Sequence, residues 1–356
     1  MQLTESPEQR ELRTSVRRFL ADKSPLSAVR ELMATEAGYD TAVWKQAGSQ
    51  LGLPGIAIPE EYAGAGFTFV EQAIVLEELG RSLYCGPYFA SAVLAANVLL
   101  CSDDETAKQR HLPGIAAGDV IGTLAFTGDG EGVTAVGDRL TGSRELVLDG
   151  HIADLILVVA DGSLFAVAAG APGMSVHVLP TLDQTRRLAR IEFEDTPADL
   201  VGERGSAAGV LNRALDRAAL ALAAEELGGA QAALDMALDY LKTREQFDRP
   251  VGSFQALKHR CADLLLQVES TRSAVLYAAW AVADGSDEVP TIAPLTKAYA
   301  SETFAQAAGE NIQMHGGIGF TWEHDAHLYF KRAAFDRQFL GDPAYHRERL
   351  VTGIGI

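Results

Sequence analysis

The stretch Arg244-Glu-Gln-Phe-Asp-Arg-Pro-Val-Gly-Ser-Phe-Gln255 decides how the rest of the chain is read. It separates two long segments that hold no proline, one from about Gly209 to Thr243 and one from Ala256 to Asp284. Pro250 has no amide hydrogen to give a helix, and Gly252 is the freest residue of the backbone, so helical structure stops between them. Ser253 stands where an N-cap belongs, with a hydroxyl placed to accept an orphan N–H of the following helix. The result is a rigid corner that presents an arginine, two phenylalanines and a glutamine. On these grounds alone the corner reads as a helix hairpin with a solvated arginine.

The order of its residues says more. The pattern Arg-x-x-Phe-x-x-Pro-x-x-x-Phe-Gln resembles the flavin-binding signature of the acyl-CoA dehydrogenase family. A second stretch, Gln313-Met-His-Gly-Gly-Ile-Gly-Phe320, resembles that family's other signature and follows in the family's order. The resemblance implies an α+β fold: an N-terminal helical domain, a middle antiparallel β-domain and a C-terminal four-helix bundle. It also implies FAD as cofactor, an acyl-CoA substrate and an electron-transfer flavoprotein as acceptor.

Composition is compatible with this. A chain of 356 residues with 47% hydrophobic residues can bury large cores. The net charge of −18 argues against nucleic acid as a partner. It leaves room for an anionic ligand, because a local arginine cluster or a helix end can hold phosphate in an acidic protein. No apolar run reaches the roughly eighteen residues of a membrane span, and charges throughout residues 1–20 do not fit a signal peptide. Cys85, Cys101 and Cys261 lack metal or redox spacing and read as packed, reduced thiols, which suits the cytoplasm. No metal-ligand spacing recurs.

Taken in order, residues 1–118 read as helices. Ser6-Pro-Glu-Gln9 has the form of a capping box with proline at the first helical position. Thr68 with Glu71 and Ser102 with Glu105 repeat the pattern and open helices near 69–80 and 103–117. Between them lies a loop rich in Gly and Pro, residues 51–66, which by resemblance helps shape the acyl site. The pattern changes at Gly118. Short segments at 121–126, 133–136, 145–148, 155–160, 164–168, 176–179 and 190–194 read as strands of a barrel or sandwich over about 119–200. No GxGxxG is present and no helix separates the strands, which excludes a Rossmann unit.

Helical spacing returns from about 207. Leu211, Leu215, Leu222, Leu234, Leu238 and Leu241 mark one face, interrupted by Gly228-Gly229, a sign of close packing or a bend. Leu257, Cys261, Leu264, Leu265, Val268 and Val275 mark a second helix. Thr291 to Met314 makes a third that stops at Gly316, and His327 to Phe339 a fourth. Short connections between them imply a bundle over 201–356. His315 and His324 read as loop residues.

Two sets of site residues follow from the resemblance. Arg244, Phe247, Phe254, Gln313, Met314, Gly316 and Gly317 would contact FAD across a dimer interface, with Phe126 and Thr127 as further cofactor candidates in the β-domain. An arginine fork suits a pyrophosphate, and a diglycine lets the backbone approach one. The β-domain departs from the family at Thr127-Gly-Asp129 and at Leu146 and Leu148, where an aromatic and a threonine usually face the flavin. Leucine packs on a ring but donates no hydrogen bond.

The family's reaction removes an α-proton with a carboxylate while the β-hydrogen leaves as hydride to the flavin. The family places that carboxylate at one of two positions, which here hold Leu340, before Gly341, and Ala218. Neither accepts a proton. The Leu340 backbone N–H stays usable for polarising the thioester. Asp216 is the nearest carboxylate candidate. Glu225 shares the face of Ala218 but lies roughly 10 Å further along the helix, and Asp336, Asp342 and His346 flank Leu340 as solvated or structural groups. Three readings remain open: an acyl-CoA dehydrogenase, homo-oligomeric or paired with a catalytic paralogue; a non-catalytic FAD- or CoA-binding subunit of a mixed tetramer; and a flavin oxidase or monooxygenase on the same fold.

Overall fold

The computed structural model describes residues 4–126 and 132–356, so Thr127 and the rest of its Thr-Gly-Asp segment lie outside the described residues. Helices come first: α1 (Pro7–Lys23), α2 (Leu26–Met33), α3 (Thr41–Leu51), α4 (Phe69–Arg81), α5 (Ala96–Cys101) and α6 (Glu105–Ala117), with a π-helical stretch at Phe89–Ala95 leading into α5. Strands follow: β1 (Gly122–Ala125), β2 (Thr134–Val136), β3 (Arg139–Leu148), β4 (Leu155–Ala160), β5 (Ser163–Ala168), β6 (Met174–Leu179), β7 (Leu188–Pro197) and β8 (Asp199–Val201). The last part holds α7 (Ala207–Thr243), the short strands β9 (Glu245–Gln246) and β10 (Arg249–Pro250), then α8 (Gln255–Ala283), α9 (Val289–His315), α10 (Ala326–Asp336) and α11 (Pro343–Gly353).

Local chemistry explains most of these boundaries. The Ser6 hydroxyl accepts from the Gln9 amide while Gln9 Oε1 accepts from the Ser6 amide at 2.9 Å, a complete capping box. At α6 the cap is Asp104, whose carboxylate accepts from Ala107 N at 2.9 Å. Ser102, the expected cap, instead donates backwards to Leu99 O at 2.7 Å. Ser253 is not a cap either. It closes a 3-10 turn, and α8 starts at Gln255 behind Phe254 without a side-chain cap.

Contacts divide the chain into two compact units. One comprises 31–68 and 85–218. Its strands form two four-stranded sheets, ordered β1-β4-β5-β8 and β2-β3-β7-β6. Ala125, Ile156, Val158, Phe165 and Val167 from the first sheet meet Leu140, Val147, Ile191 and Phe193 from the second in one buried core, so the domain is a sandwich. Ladders are antiparallel except for β1 with β4, which run parallel. β8, three residues long, is too short to show alternation. β3 bulges between Arg144 and Val147, which hides its length from a period-two reading.

The other unit comprises residues up to Arg30 together with 69–84 and 219–356. It is a helical bundle in which α9 packs on α8, α10 and α11, and α4 packs on α1 and α8. α11 adds a fifth helix to the expected four. Leu264 is buried in α8, but Leu265 is 49% exposed. Adjacent helix positions lie about 100° apart, so both cannot face one core.

Gly228-Gly229 does not interrupt α7, which is continuous through both. They serve packing. A Cβ on Gly228 would sit 1.8 Å from Glu77 O of α4, and one on Gly80 of α4 would sit 2.0 Å from Glu225 O. Each helix thus offers a glycine to the other's carbonyl, and the two backbones touch. The Phe304 ring fills the space beside Gly229, where a Cβ would lie 2.4 Å from it. Gly309 of α9, by contrast, has nothing within 4 Å. Gly228→Ala is therefore expected to destabilise the protein by about 3 kcal/mol and lower Tm by several degrees. Gly309→Ala should stabilise it by about 0.5–1 kcal/mol through helix propensity. Thermal denaturation of the pair checks this: equal Tm values would refute the close crossing.

Candidate functional site

The corner at 244–255 is a tight β-hairpin. Gln246 pairs with Arg249 and Glu245 with Pro250, leaving Phe247 and Asp248 as the two turn residues, at φ 57° and 56°. Two successive left-handed residues make the primed turn that matches strand twist, a turn in which glycine and asparagine are favoured. Phenylalanine there carries backbone strain, and its ring is thrust outward at 84% exposure. Phe247 meets Phe254 edge-on with centroids 6.0 Å apart, and the Arg249 guanidinium lies over the Phe254 ring at 4.1 Å. Arg244 is exposed, and among the described residues its guanidinium has no hydrogen-bond or ion-pair partner; the backbone instead secures it, Arg244 N to Tyr240 O at 2.8 Å and Val251 N to Arg244 O at 2.8 Å.

The second signature closes α9. Gly316 takes φ 64° and its N–H returns to Gln313 O, after which Gly316–Phe320 form a 3-10 turn. Gln313, Gly316 and Gly317 are exposed. A Cβ on Gly316 or Gly317 would meet nothing within 4 Å. The positive φ accounts for glycine at 316; nothing inside the described chain accounts for it at 317. Met314 differs from the rest of its set: its side chain is buried, with Sδ 3.8 Å from Cys261 Sγ. His315 is the buried last residue of α9 rather than a loop residue. Its ring packs on Tyr240 at 4.3 Å and on His324 at 4.2 Å, and burial lowers its pKa. Exposed Ile318, Phe320 and Trp322 border this turn.

The third element is the turn after α10. Leu340 sits at φ 63° and Gly341 at φ 103°. No carbonyl among the described residues accepts the Leu340 N–H. Leu340 O accepts from His346 Nε2 at 3.1 Å. His346 Nδ1 is buried without a hydrogen-bond partner among the described residues, so the ring is neutral, with its proton on Nε2. Burial, then Lys297 and Arg349, push its pKa down to about 4.

A buried polar network stands behind this turn, and sequence reasoning missed it. Lys297 of α9 and Glu226 of α7 are both 0% exposed. Lys297 Nζ donates to Ser301 Oγ at 2.6 Å, to Asp336 O at 2.8 Å and to Glu226 Oε1 at 3.2 Å; Ser301 Oγ donates to Glu226 Oε1 at 2.7 Å. Burial raises the Glu226 pKa, while Lys297 and Ser301 pull it back down. Glu225 is paired with Arg332 Nη1 at 2.6 Å. Asp336 is wholly buried and structural, not solvated. The one available signal was a lysine with a serine four residues on, within an alanine-rich helix.

In the β-containing unit, Phe126 is half-buried just past β1, and Asp216 is buried at 5% exposure beside Ala218 at 0% on α7. The bulge in β3 gives Leu146 φ 56° and exposes it, whereas Leu148 is buried. Only one of the two positions thus presents a side chain to the surface of its unit.

Known proteins resemble this chain over nearly its whole length. The acyl-CoA dehydrogenase N-terminal domain matches residues 6–119, and the acyl-CoA dehydrogenase C-terminal domain matches 208–355. Acyl-CoA dehydrogenase IpdE2 of Mycobacterium tuberculosis is 38% identical over 349 residues, 98% of each chain. Among solved structures, the ChsE4–ChsE5 complex from Mycobacterium tuberculosis superposes with a TM-score of 0.90 at 31% identity, over 99% of each chain. The electron transferring flavoprotein structure of Acidaminococcus fermentans contains a chain with a TM-score of 0.92 at 26% identity, over 100% of each chain. Two signatures, the domain order and full-length similarity agree: the chain belongs to the acyl-CoA dehydrogenase family.

Proposed function

We propose that this chain binds FAD between Arg244, Phe247, Phe254, Gln313, Gly316 and Gly317, and takes part in the α,β-desaturation of an acyl-CoA thioester. The observation that carries the reading is the Leu340 turn, a backbone donor without an acceptor among the described residues, where this family polarises its substrate. Bound flavin would supply the hydride acceptor. The residues present fit such a group: a guanidinium with no partner among the described residues for a pyrophosphate, two aromatic side chains for its rings, and a Gly316-Gly317 backbone with open space beside it. Exposed Phe247, Ile318, Phe320 and Trp322 are apolar side chains that a second subunit would cover.

Within this scheme the Leu340 N–H hydrogen-bonds the thioester oxygen and stabilises negative charge as the α-proton leaves. The leucine side chain takes no proton, and neither does Ala218. Asp216 is the carboxylate this chain offers. A second reading has the carboxylate come from a paralogous chain in a mixed assembly; it is favoured by the loss of an acidic residue at both positions and by likeness to a complex of two distinct chains, ChsE4–ChsE5. Electron-transferring flavoprotein is the proposed acceptor, supported by the likeness to a chain in that structure. No helix among the described residues is long and apolar enough to cross a membrane, and the proposed compartment is the cytoplasm.

Arg244→Ala is expected to purify with much less than half the FAD of the parent at equal protein concentration, measured by absorbance after desalting; unchanged flavin content would overturn the assignment. Bleaching of the bound flavin by an acyl-CoA panel, with this chain alone and after co-expression with a paralogue, separates the two readings. The turn also makes a pH prediction. An unfolded chain protonates His346 near its ordinary value of about 6.5, while the folded chain resists until about 4. Between these values the unfolded state binds the extra proton, so stability is complete above about 6.5 and is lost as pH falls. From pH 7 to 5 the parent should lose about 2 kcal/mol more than His346→Gln, whose amide keeps the donor to Leu340 O. Urea denaturation at both pH values checks this; parallel losses would refute it.

A further inference from the structure

The end of α10 tightens before it stops: Gln338 N bonds Phe335 O at 3.0 Å, a 3-10 spacing. Arg337 N bonds Ala333 O at 3.0 Å and Phe339 N bonds Phe335 O at 3.0 Å, both helical in spacing. Helical spacing resumed after Phe339 would run a bond from Leu340 N to Asp336 O. It is not made. Asp336 O accepts instead from Lys297 Nζ at 2.8 Å, and Leu340 turns to φ 63° with its N–H unclaimed.

We propose that Lys297 is a positioning residue that captures the Asp336 carbonyl and so releases the Leu340 N–H for the substrate. This rests on the proposed role of that N–H in holding a thioester oxygen. Three physical effects act together. A helix leaves its last carbonyls without partners, and a cation is favoured there by the helix dipole. The ammonium is saturated: its three donors meet three acceptors, Asp336 O, Ser301 Oγ and Glu226 Oε1, in a site where all four residues are at most 1% exposed. A charge-assisted bond of this kind is stronger than one from a neutral amide, and it draws Asp336 O toward the ammonium and away from the helical direction of the Leu340 N–H. Gly341 and the His346–Leu340 bond then hold the released turn from its other side, at 3.1 Å.

Removing the ammonium should produce a sign that simple loosening of the fold would not. In Glu226→Gln/Lys297→Met, which removes the ammonium without stranding a buried charge, Leu340 N–H should fall back on Asp336 O and extend α10. Its amide exchange should then slow by about tenfold, the scale of one net hydrogen bond. Glu226→Gln alone keeps the lysine donor and should leave Leu340 exchange within about threefold of the parent. Site-resolved hydrogen exchange of the purified chain reads both, and it needs neither flavin nor substrate. Equal or faster exchange at Leu340 in the double variant overturns the proposal. Should that variant not fold, exchange in the parent decides: a Leu340 amide within about tenfold of the unstructured rate supports release, and strong protection refutes it. A further readout is the flavin spectrum of the FAD-loaded protein on adding a CoA thioester. No response in the parent would count against the acyl-CoA reading and leave the exchange result standing. A parent response retained in full by the double variant would count against Lys297.

Discussion

Two backbones in contact set the terms for the helical bundle. Where α4 crosses α7, Gly80 and Gly228 each lie against a carbonyl of the other helix, at separations no side chain would permit. That approach brings the glutamates one turn before each glycine into the interior: Glu77 and Glu78 on α4, Glu225 and Glu226 on α7, all 8% exposed or less. Buried carboxylates require cations, because an unpaired charge in a low-dielectric interior costs several kcal/mol. The bundle supplies them. Arg13 and Arg17 of α1 and Arg272 of α8 serve the α4 pair, while Arg332 of α10 and Lys297 of α9 serve the α7 pair.

The consequence reaches the candidate site. Lys297 does more than neutralise Glu226, since it also closes α10 by holding Asp336 O. The turn that presents Leu340 therefore depends, through one ammonium, on a helix crossing made possible by two glycines. His346 adds a neutral brace to the same turn, kept uncharged by burial and by Lys297. In this way an interior with several ionic groups sets the turn that carries one backbone donor, even though the residue bearing it has no reactive side chain.

Sequence reasoning saw the parts that are local or short-range. The Ser6 cap, the stop at Gly316 and the change from helical to alternating patterning at Gly118 follow from backbone chemistry within a few residues. It failed where neighbours in space overrule neighbours in sequence. Gly228-Gly229 could mean a bend or a close crossing, and only Glu77 and Phe304, remote in sequence, decide for packing. Ser253 and Ser102 look like caps, yet Phe254 and Asp104 take those positions. The corner read as a helix hairpin is a primed β-turn, because phenylalanine carries no left-handed signal of its own.

Family, domain order and both signature stretches were determined by the sequence itself, since an arginine at a helix end and a diglycine stop work through groups fixed within one short segment. The network of Glu226, Lys297, Ser301 and Asp336 was decided only by tertiary structure. Its members come from three helices and are polar residues in otherwise ordinary surroundings, so nothing in their spacing marks them as partners. Burial made them a unit: once water is excluded, each charge must find the others, and the geometry of that pairing sets which carbonyl is taken and which amide is left free.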